Sequence, residues 1–297
     1  MASTPPDALR YDTVSFLSDY GRQDEFVGVV HSILHATAPG VRVIDVTHDI
    51  APHDIRAGGL ALARSAQYLC PGVVLAVVDP GVGTPRRGIA IEVGDGQSVL
   101  VGPDNGVLAP AVAMVGGATR AVSLTNTDYH LPSPGPTFDG RDVFAPVAAA
   151  LCTGVDLAEL GDEVDPNTLV PGMIPVIREE GDDLVADVLW VDRFGNCQLN
   201  VDPDDLAGWG DRIRLRIGGE PRIARRVDAY AEIGSGEVGL LVDSYGLIAV
   251  ALDRRSAHAE LGMAPGQELR LERLADDEPD GITTAVSLGP RRNGDHP

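Results

Sequence analysis

Apolar residues in the first half of the chain form short buried-type runs separated by segments of helical periodicity. Thr13–Leu17 and Val73–Val78 are such runs, and the second ends abruptly at Asp79. The apolar residues of Asp24–Thr37 recur at helical spacing, and Ile55–Leu69 has the same character. Continuous apolar runs are typical of strands that are buried on both faces of a parallel sheet. The pattern predicts an N-terminal α/β domain with a mostly parallel sheet. Further strands are predicted at Val41–Val46, Gly88–Val93, Ser98–Val101 and Ala121–Leu124. A further helix is predicted at Asp142–Cys152.

The period changes in the second half of the chain. Arg212–Ile217 alternates strictly between arginine and apolar residues, and Gly218-Gly219 then predicts a hairpin turn. The second half is predicted to be an all-β barrel or sandwich, with other strands at Leu184–Val191, Gln198–Val201, Val238–Val242, Leu247–Leu252 and Glu268–Leu271. A linker rich in Pro, Asp and Gly separates the halves. We expect an α/β domain over 10–165, a β-barrel domain over 176–275, and a disordered tail over 276–297.

Composition excludes several classes of function. The formal net charge of −21 argues against nucleic acids and anionic membrane surfaces as partners, because both require basic patches. All 23 basic residues are arginine, so Schiff-base chemistry and lysine-dependent nucleotide triphosphatases are excluded. The 3 cysteines show no metal or disulfide spacing. The sequence shows neither a signal peptide nor an apolar run near the ~20 residues of a membrane span, so we expect a cytoplasmic protein.

Two carboxylates follow predicted strands directly, at the edge of an α/β sheet where ligands gather. Asp19 stands in SFLSDYG, and Asp79 stands in VVDPGVGTPRR. Each residue could also cap a helix or shape a turn. For Asp79 the turn interpretation is weaker, because Pro80–Gly83 opens a loop that exposes its backbone and leads to Arg86.

Histidines and glycines offer alternative sites. His48, Asp49, His53 and Asp54 cluster in THDIAPHDI and include plausible metal ligands, but no distant partner has recognisable spacing. His31 and His35 lie one helical turn apart, but the segment lacks the Glu of a zincin metal-binding helix. We therefore interpret both histidines as residues at the edge of a packed helix. The GxGxxG match at 234–239 lies among predicted β-strands, so it is interpreted as a loop rather than as a dinucleotide site.

Three further segments carry polar or aromatic groups on turns. GPTFDGRDVFAP brings Asp139 to the start of a helix, WVDRFGN contains Asp192, Phe194 and Asn196, and VDSYG contains Ser244 and Tyr245. An aromatic ring beside an amide is suited to adenine, through stacking and hydrogen bonds to the base edge. A glycine hairpin turn explains each of these segments equally well.

Taken in order, these motifs resemble the S-adenosylmethionine (SAM) hydroxide adenosyltransferase family, whose fold is shared with the halogenating SAM enzymes. The resemblance runs from about residue 13 to 256. It implies an N-terminal α/β domain, a C-terminal β-barrel, a homotrimer with active sites at subunit interfaces, and SAM as the substrate with no cofactor. It assigns Asp19 to the ribose hydroxyls, Asn196 to the adenine edge, and Asp192 to the methionine ammonium. Phe194 would wall the pocket, Ser244 and Tyr245 would hold the methionine carboxylate, and His53 would lie beside the sugar.

In the hydrolytic branch, the resemblance implies that an Asp-Arg-His set positions the attacking water. Asp79 and Arg86 match the first two members. The family's TFHGRD reads TFDGRD here, so Asp139 stands where histidine is expected, and His130 is the other candidate for that role. The implied reaction is an in-line displacement at the ribose C5′, with hydroxide character stabilised by the carboxylate and guanidinium.

Alternatives to hydrolysis remain open at this point. A halide-using, chlorinase-like adenosyltransferase is disfavoured. The halogenating relatives have an aromatic residue at the position of Asp79 and a threonine at the position of Val82. In addition, this chain has a compact GDG turn at 94–96 where the fluorinases have a long insertion. A metal-dependent hydrolase would use the His48, Asp49, His53 and Asp54 cluster. The third alternative is a SAM or adenosine binder without catalytic activity.

Overall fold

The computed structural model describes residues 9–274, and the chain divides into two compact units between Ile174 and Pro175. The predicted disordered tail over 276–297 lies outside the described residues. None of the helices within residues 9–274 combines the length and apolar composition that a bilayer crossing requires.

The N-terminal unit contains a seven-stranded sheet between helices. Its strands are β1 (Thr13–Ser18), β2 (Arg42–Thr47), β3 (Val73–Val77), β4 (Gly88–Val93), β5 (Ser98–Pro103), β6 (Ala118–Ser123) and β7 (Asp162–Glu163). Its helices are α1 (Phe26–Thr37), α2 (Ile55–Ala66), α3 (Ala109–Met114) and α4 (Ala145–Cys152), the last preceded by a π-helical turn at Gly140–Phe144.

The strand order is β2-β1-β3-β5-β4-β6-β7. The pairs β1–β2, β1–β3 and β3–β5 are parallel, and β4, β6 and β7 add three antiparallel pairings, so the sheet is mixed. This arrangement confirms the predicted α/β class. The β4–β5 hairpin is closed by the predicted GDG turn.

Buried side chains alternate between the two faces of the sheet. On β3, Leu75 and Val77 belong to the core under α1 and α4, while Val74 and Ala76 belong to the core under α2 and α3. Because β1 and β3 are parallel and Ser18 pairs with Val77, the residues that follow these strands emerge side by side. The register therefore positions Asp19 and Asp79 at one edge of the sheet.

The C-terminal unit is all-β, apart from the short helix α5 (Ala257–Leu261) and 3-10 turns. Its strands are β8 (Arg178–Glu180), β9 (Asp183–Val191), β10 (Cys197–Leu199), β11 (Arg212–Ile217), β12 (Glu220–Arg226), β13 (Val238–Val242), β14 (Ile248–Leu252) and β15 (Glu268–Arg273). Seven of them pair in the order β10-β14-β13-β12-β11-β15-β9, and β9 pairs back to β10. The ring is therefore a closed barrel, as predicted, with β8 added at β9. The GxGxxG segment is a loop up to Glu237 and enters β13 with its last two residues.

Candidate active site

A cavity of about 230 Å³ opens at the edge of the sheet where β1 and β3 end. Four of the residues predicted from the sequence line it: Asp19, His53, Asp79 and Asp139. Tyr20, Phe26 and Phe138 form an aromatic wall with edge-to-face and tilted contacts between their rings. The cavity therefore combines carboxylates with an apolar surface, as ligand pockets in proteins commonly do.

Asp79 and Arg86 form a buried ion pair beside this cavity. Arg86 Nε donates to Asp79 Oδ1 at 3.0 Å, and Nη2 donates to Asp79 Oδ2, which makes the pair bidentate. Only 6% of the Asp79 side chain and 13% of the Arg86 side chain is exposed. Desolvation lowers the pKa of Arg86, but its hydrogen bonds to Asp79 and Asp139 outweigh this effect and raise the pKa above its usual value. Arg86 therefore stays positively charged.

The same guanidinium reaches a second carboxylate. Arg86 Nη2 donates to Asp139 Oδ2 at 2.5 Å, although the two residues are 53 positions apart. Asp139 lies at the start of the π-helical turn and makes no capping hydrogen bond with its side chain. The three groups, called here the Asp79–Arg86–Asp139 cluster, carry one positive and two negative charges.

His130, the other candidate for the family's histidine position, is placed differently. Its Nε2 is buried and has no hydrogen-bond partner among the described residues. Burial lowers the pKa of His130, and the neighbouring Asp139 opposes that shift. His130 is near Asp139, but it is Asp139 whose side chain contacts Arg86.

Asp19 is held by the loop that carries His53. The backbone N–H of His53 donates to Asp19 Oδ2 at 2.8 Å, and His53 adopts a left-handed conformation with φ of 68°. A positive φ is uncommon for a residue other than glycine and often marks a constrained functional loop. The contact fixes one oxygen of Asp19 and leaves Oδ1 to accept hydrogen bonds from a ligand.

The absence of a side chain at Gly140 leaves space for the ring of Tyr20 in the wall of the N-terminal cavity. An added Cβ at position 140 would lie 2.1 Å from the Tyr20 hydroxyl, so any larger residue would displace that ring. Burial, reinforced by Asp19 and Asp79, raises the pKa of Tyr20, which therefore stays protonated. The TFDGRD motif thus supplies both a carboxylate and the space for an aromatic neighbour.

The structure does not bring His48, Asp49, His53 and Asp54 together as a metal site. Asp54 caps α2 by accepting from Ala57 N at 2.8 Å, and the His53 backbone binds Asp19. His48 is fully buried and faces Asp45 instead. In the described range, the group with metal-ligand spacing consists of His31, Asp45 and His48.

A second cavity, of about 540 Å³, lies in the C-terminal unit. Predicted residues Asp192, Phe194, Asn196 and Ser244 line it. Tyr245 does not line this cavity, although half of its surface is exposed in the turn that carries Ser244. Phe194 is 78% exposed, so its ring is accessible for stacking on a flat ligand.

Two turns of the same construction shape this cavity. In the first, Asp192 Oδ1 accepts from Phe194 N at 2.8 Å and from Asn196 N at 2.9 Å. In the second, Asp243 Oδ1 accepts from Tyr245 N at 2.8 Å and from Leu247 N at 3.2 Å. Gly195 and Gly246 follow the aromatic residues, with φ of 84° and 85°. Each turn thus uses an aspartate to present an exposed aromatic ring.

This geometry gives Asp192 a structural role beyond the predicted one. Its Oδ2 also accepts from Asn196 Nδ2 at 2.8 Å, which orients the Asn196 amide and leaves its oxygen available. Sequence reasoning missed Asp243, Tyr230, Arg254 and Arg255 in the cavity lining. The repeated Asp-x-aromatic-Gly pattern at 192–195 and 243–246 is the signal that could have revealed Asp243.

Two models of known protein families match this chain, one in each unit. The SAM hydroxide adenosyltransferase N-terminal domain model matches residues 14–161, and the corresponding C-terminal domain model matches residues 186–270. The chain belongs to the SAM hydroxide adenosyltransferase family. The resemblance carried by the sequence motifs is therefore confirmed.

Relatives of this chain include proteins named (R)-S-adenosyl-L-methionine hydrolase. The one from Salinispora tropica is 46% identical over 258 residues, which covers 87% of this chain and 97% of the relative. A fluorinase from an Actinoplanes species is 25% identical over 268 residues, covering 80% and 90% of the two chains. The crystal structure of an uncharacterized conserved protein from Thermotoga maritima has a TM-score of 0.81 at 30% identity, covering 88% of this chain and all of that one.

Proposed function

We propose that this protein hydrolyses S-adenosyl-L-methionine to adenosine and L-methionine by attack of water at the ribose C5′. The Asp79–Arg86–Asp139 cluster is the observation that carries this proposal, because it places a buried carboxylate, held by a fixed cation, in the wall of the N-terminal cavity. The names of the hydrolase relatives support the same substrate and reaction.

The reaction balances without an external reactant other than water. The water oxygen forms a bond to C5′, and the C5′–S bond breaks with its electron pair going to sulfur. The sulfonium leaves as neutral methionine, so its departure requires no general acid. The proton of the attacking water passes to a carboxylate and then to solvent. Asp79 accepts the hydrogen bond from that water, and Arg86 stabilises its developing hydroxide character.

The charge of the cluster favours hydrolysis over halogenation. One guanidinium and two carboxylates leave a formal charge of −1. A negative cluster attracts the cationic sulfonium and repels an incoming halide ion. The carboxylate of Asp139, at the position where the family motif has histidine, adds to this preference.

We assign substrate contacts to both cavities. Asp19 binds the ribose hydroxyls with the oxygen that His53 leaves available, and His53 lies beside the sugar. Asn196 reads the adenine edge while Phe194 stacks on the base. Asp192 attracts the methionine ammonium, and Ser244 with Tyr245 holds its carboxylate. The reaction needs no cofactor in this scheme.

The assembly we propose is a homotrimer. Each active site would combine the N-terminal unit of one subunit with the C-terminal unit of its neighbour. The location of the predicted substrate residues in two cavities, one in each unit, supports this arrangement. We also propose a cytoplasmic location, which agrees with three free cysteines, at positions 70, 152 and 197.

One incubation separates hydrolysis from its alternatives. Purified protein is mixed with SAM, with and without added chloride, and the products are identified by mass spectrometry. We expect adenosine and methionine in equal amounts under both conditions. 5′-Chloro-5′-deoxyadenosine as the main product would establish halogenation instead. Unchanged SAM would contradict both reactions, and calorimetry with SAM would then show whether the protein is a binder without activity.

A further inference from the structure

Three potential metal ligands from separate elements converge beneath the loop that carries Asp19. His31 lies on α1, Asp45 lies on β2, and His48 lies in the turn that follows β2. One ligand atom from each lies within 4.8 Å of the others. Asp45 Oδ1 is 2.8 Å from His31 Nε2 and 3.0 Å from His48 Nε2.

His48 is the fully buried member of this group, and both of its ring nitrogens face polar neighbours. Its side chain is 0% exposed, and its Nδ1 lies 2.8 Å from Ser18 Oγ. Its Nε2 lies 3.0 Å from Asp45 Oδ1, but within the described part of the chain this contact is not aligned as a hydrogen bond. A buried polar nitrogen whose hydrogen bond is poorly aligned is less well stabilised than one with a good partner. Ligand atoms of a tetrahedral zinc ion, at bonds of about 2.0–2.2 Å, lie about 3.3–3.6 Å apart. Asp45 Oδ1 is 2.8 Å and 3.0 Å from the two histidine nitrogens, so an ion would enter if the three groups moved apart by about 0.5 Å.

His31 and Arg22 are the neighbours of Asp45 whose positions a bound cation would affect. When no metal is present, His31 Nε2 can donate to Asp45 Oδ1, and His48 Nε2 lies 3.0 Å from the same oxygen. Arg22 is the nearby positive charge, and its Nη2 lies 3.6 Å from the other oxygen, Oδ2. Arg22 is 60% exposed, so its guanidinium is solvated and can move away from an ion at Oδ1.

We propose that His31, Asp45 and His48 form a binding site for a divalent transition-metal ion of the zinc type. Two imidazoles and one carboxylate are a common protein ligand set for zinc, with bonds of about 2.0–2.2 Å. In the tautomer that donates Nδ1–H to Ser18 Oγ, His48 presents the lone pair of Nε2 to the ion, an arrangement typical of metal-bound histidine. His31 is 36% exposed, so solvent supplies the fourth ligand.

The position of this site gives it a structural role that does not depend on the proposed hydrolysis. Ser18, which contacts His48, directly precedes Asp19. The carbonyl oxygen of His48 also accepts from Gly21 N at 2.8 Å. An ion bound here would join α1 and β2 and would brace the loop on both sides of Asp19. The site differs from the predicted cluster, since it shares only His48 with it.

The test uses full-length, tag-free protein that has been dialysed against a chelator. Zinc binding is followed by calorimetry, cobalt binding by visible absorption, and stability by thermal melting. We expect one ion per chain, tetrahedral cobalt bands, and a melting temperature that rises with zinc. The variants are His31→Ala and Asp45→Asn, because removal of the buried His48 would endanger folding.

The matched control is His35→Ala, which removes an exposed histidine one turn further along α1. His31→Ala and Asp45→Asn should each weaken zinc binding by at least about 100-fold, the upper end of the loss when only an outer partner is removed. His35→Ala should bind like the unmodified protein. Absence of saturable zinc and cobalt binding, or binding that survives in His31→Ala, would overturn the proposal, and neither result would affect the proposed hydrolysis.

Discussion

Arg86 donates a hydrogen bond to Asp139 at 2.5 Å while it also holds Asp79 in a bidentate pair. One guanidinium therefore fixes two carboxylates that the chain brings from distant segments. We therefore expect substitutions of Asp79, Asp139 and the nearby His130 to differ in their effects on turnover.

Replacement of Asp79 by asparagine should lower turnover while preserving the shape of the loop. Loss of the negative charge removes the acceptor for the water proton, so we expect a fall of roughly two to four powers of ten. The affinity for SAM should change much less, because other residues bind most of the substrate. Single-turnover rates and equilibrium binding would separate the two quantities.

Asp104→Asn is a matched control for that substitution. Asp104 is also a buried carboxylate paired with an arginine, since it accepts from Arg87 Nε at 2.9 Å, but it does not line the catalytic cavity. We expect a loss of roughly 1–3 kcal/mol in the free energy of unfolding, with turnover retained. An Asp79→Asn protein that behaved in the same way would refute its catalytic role.

Asp139 and His130 can be distinguished by parallel substitutions. Asp139→Asn removes a charge that contacts Arg86, so turnover should fall by about tenfold or more. His130→Gln removes a side chain whose buried Nε2 has no hydrogen-bond partner among the described residues, and turnover should stay near that of the unmodified protein. If the rates were affected in the reverse order, the role of the family histidine would belong to His130.

His130 should make folding stability depend on pH. Burial depresses its pKa below the ordinary value of 6.5, so the unfolded chain binds a proton more readily than the folded one. The stabilising contribution is therefore complete above about pH 6.5 and is lost as the pH falls towards the depressed folded-state pKa. Urea unfolding at neutral and mildly acidic pH should show a smaller decrease for His130→Gln than for the unmodified protein. Equal decreases would contradict this assignment.

The sequence predicted much of this architecture because local patterns encode it. The continuous run in β3 and the alternation in β11 were sufficient to assign both strands. The closure of the barrel between β9 and β10 was not assigned, because strand pairing depends on distant partners rather than on periodicity. The helix α3 was also missed, since its six residues are too few to establish a period.

In the candidate site too, local patterns were predictable from the sequence, whereas contacts between distant segments were not. Asp19 and Asp79 were predicted together because parallel strands end at the same edge of a sheet. The contact between Arg86 and Asp139 joins separate loops, and sequence spacing gave no measure of their distance. The convergence of His31 and His48 on Asp45 was likewise hidden, because α1 and β2 meet only when the sheet forms.

Phe194→Ala should weaken substrate binding without affecting the fold. The ring is largely exposed, so the free energy of unfolding should change by less than about 0.5 kcal/mol. Loss of stacking on the adenine should raise KM by roughly tenfold, within the range known for base–aromatic contacts. Tyr68→Ala, which removes another exposed aromatic ring, is the control and should leave KM unchanged. A normal KM for Phe194→Ala would remove this residue from the adenine site.

The water-attack mechanism is tested most directly by the origin of one oxygen atom. SAM is incubated with the protein in oxygen-18 water, and the adenosine produced is analysed by mass spectrometry with fragmentation of the ribose. Attack at C5′ predicts one labelled oxygen, at the 5′ position, and unlabelled methionine. Adenosine without the label, or label found only in methionine, would contradict the mechanism.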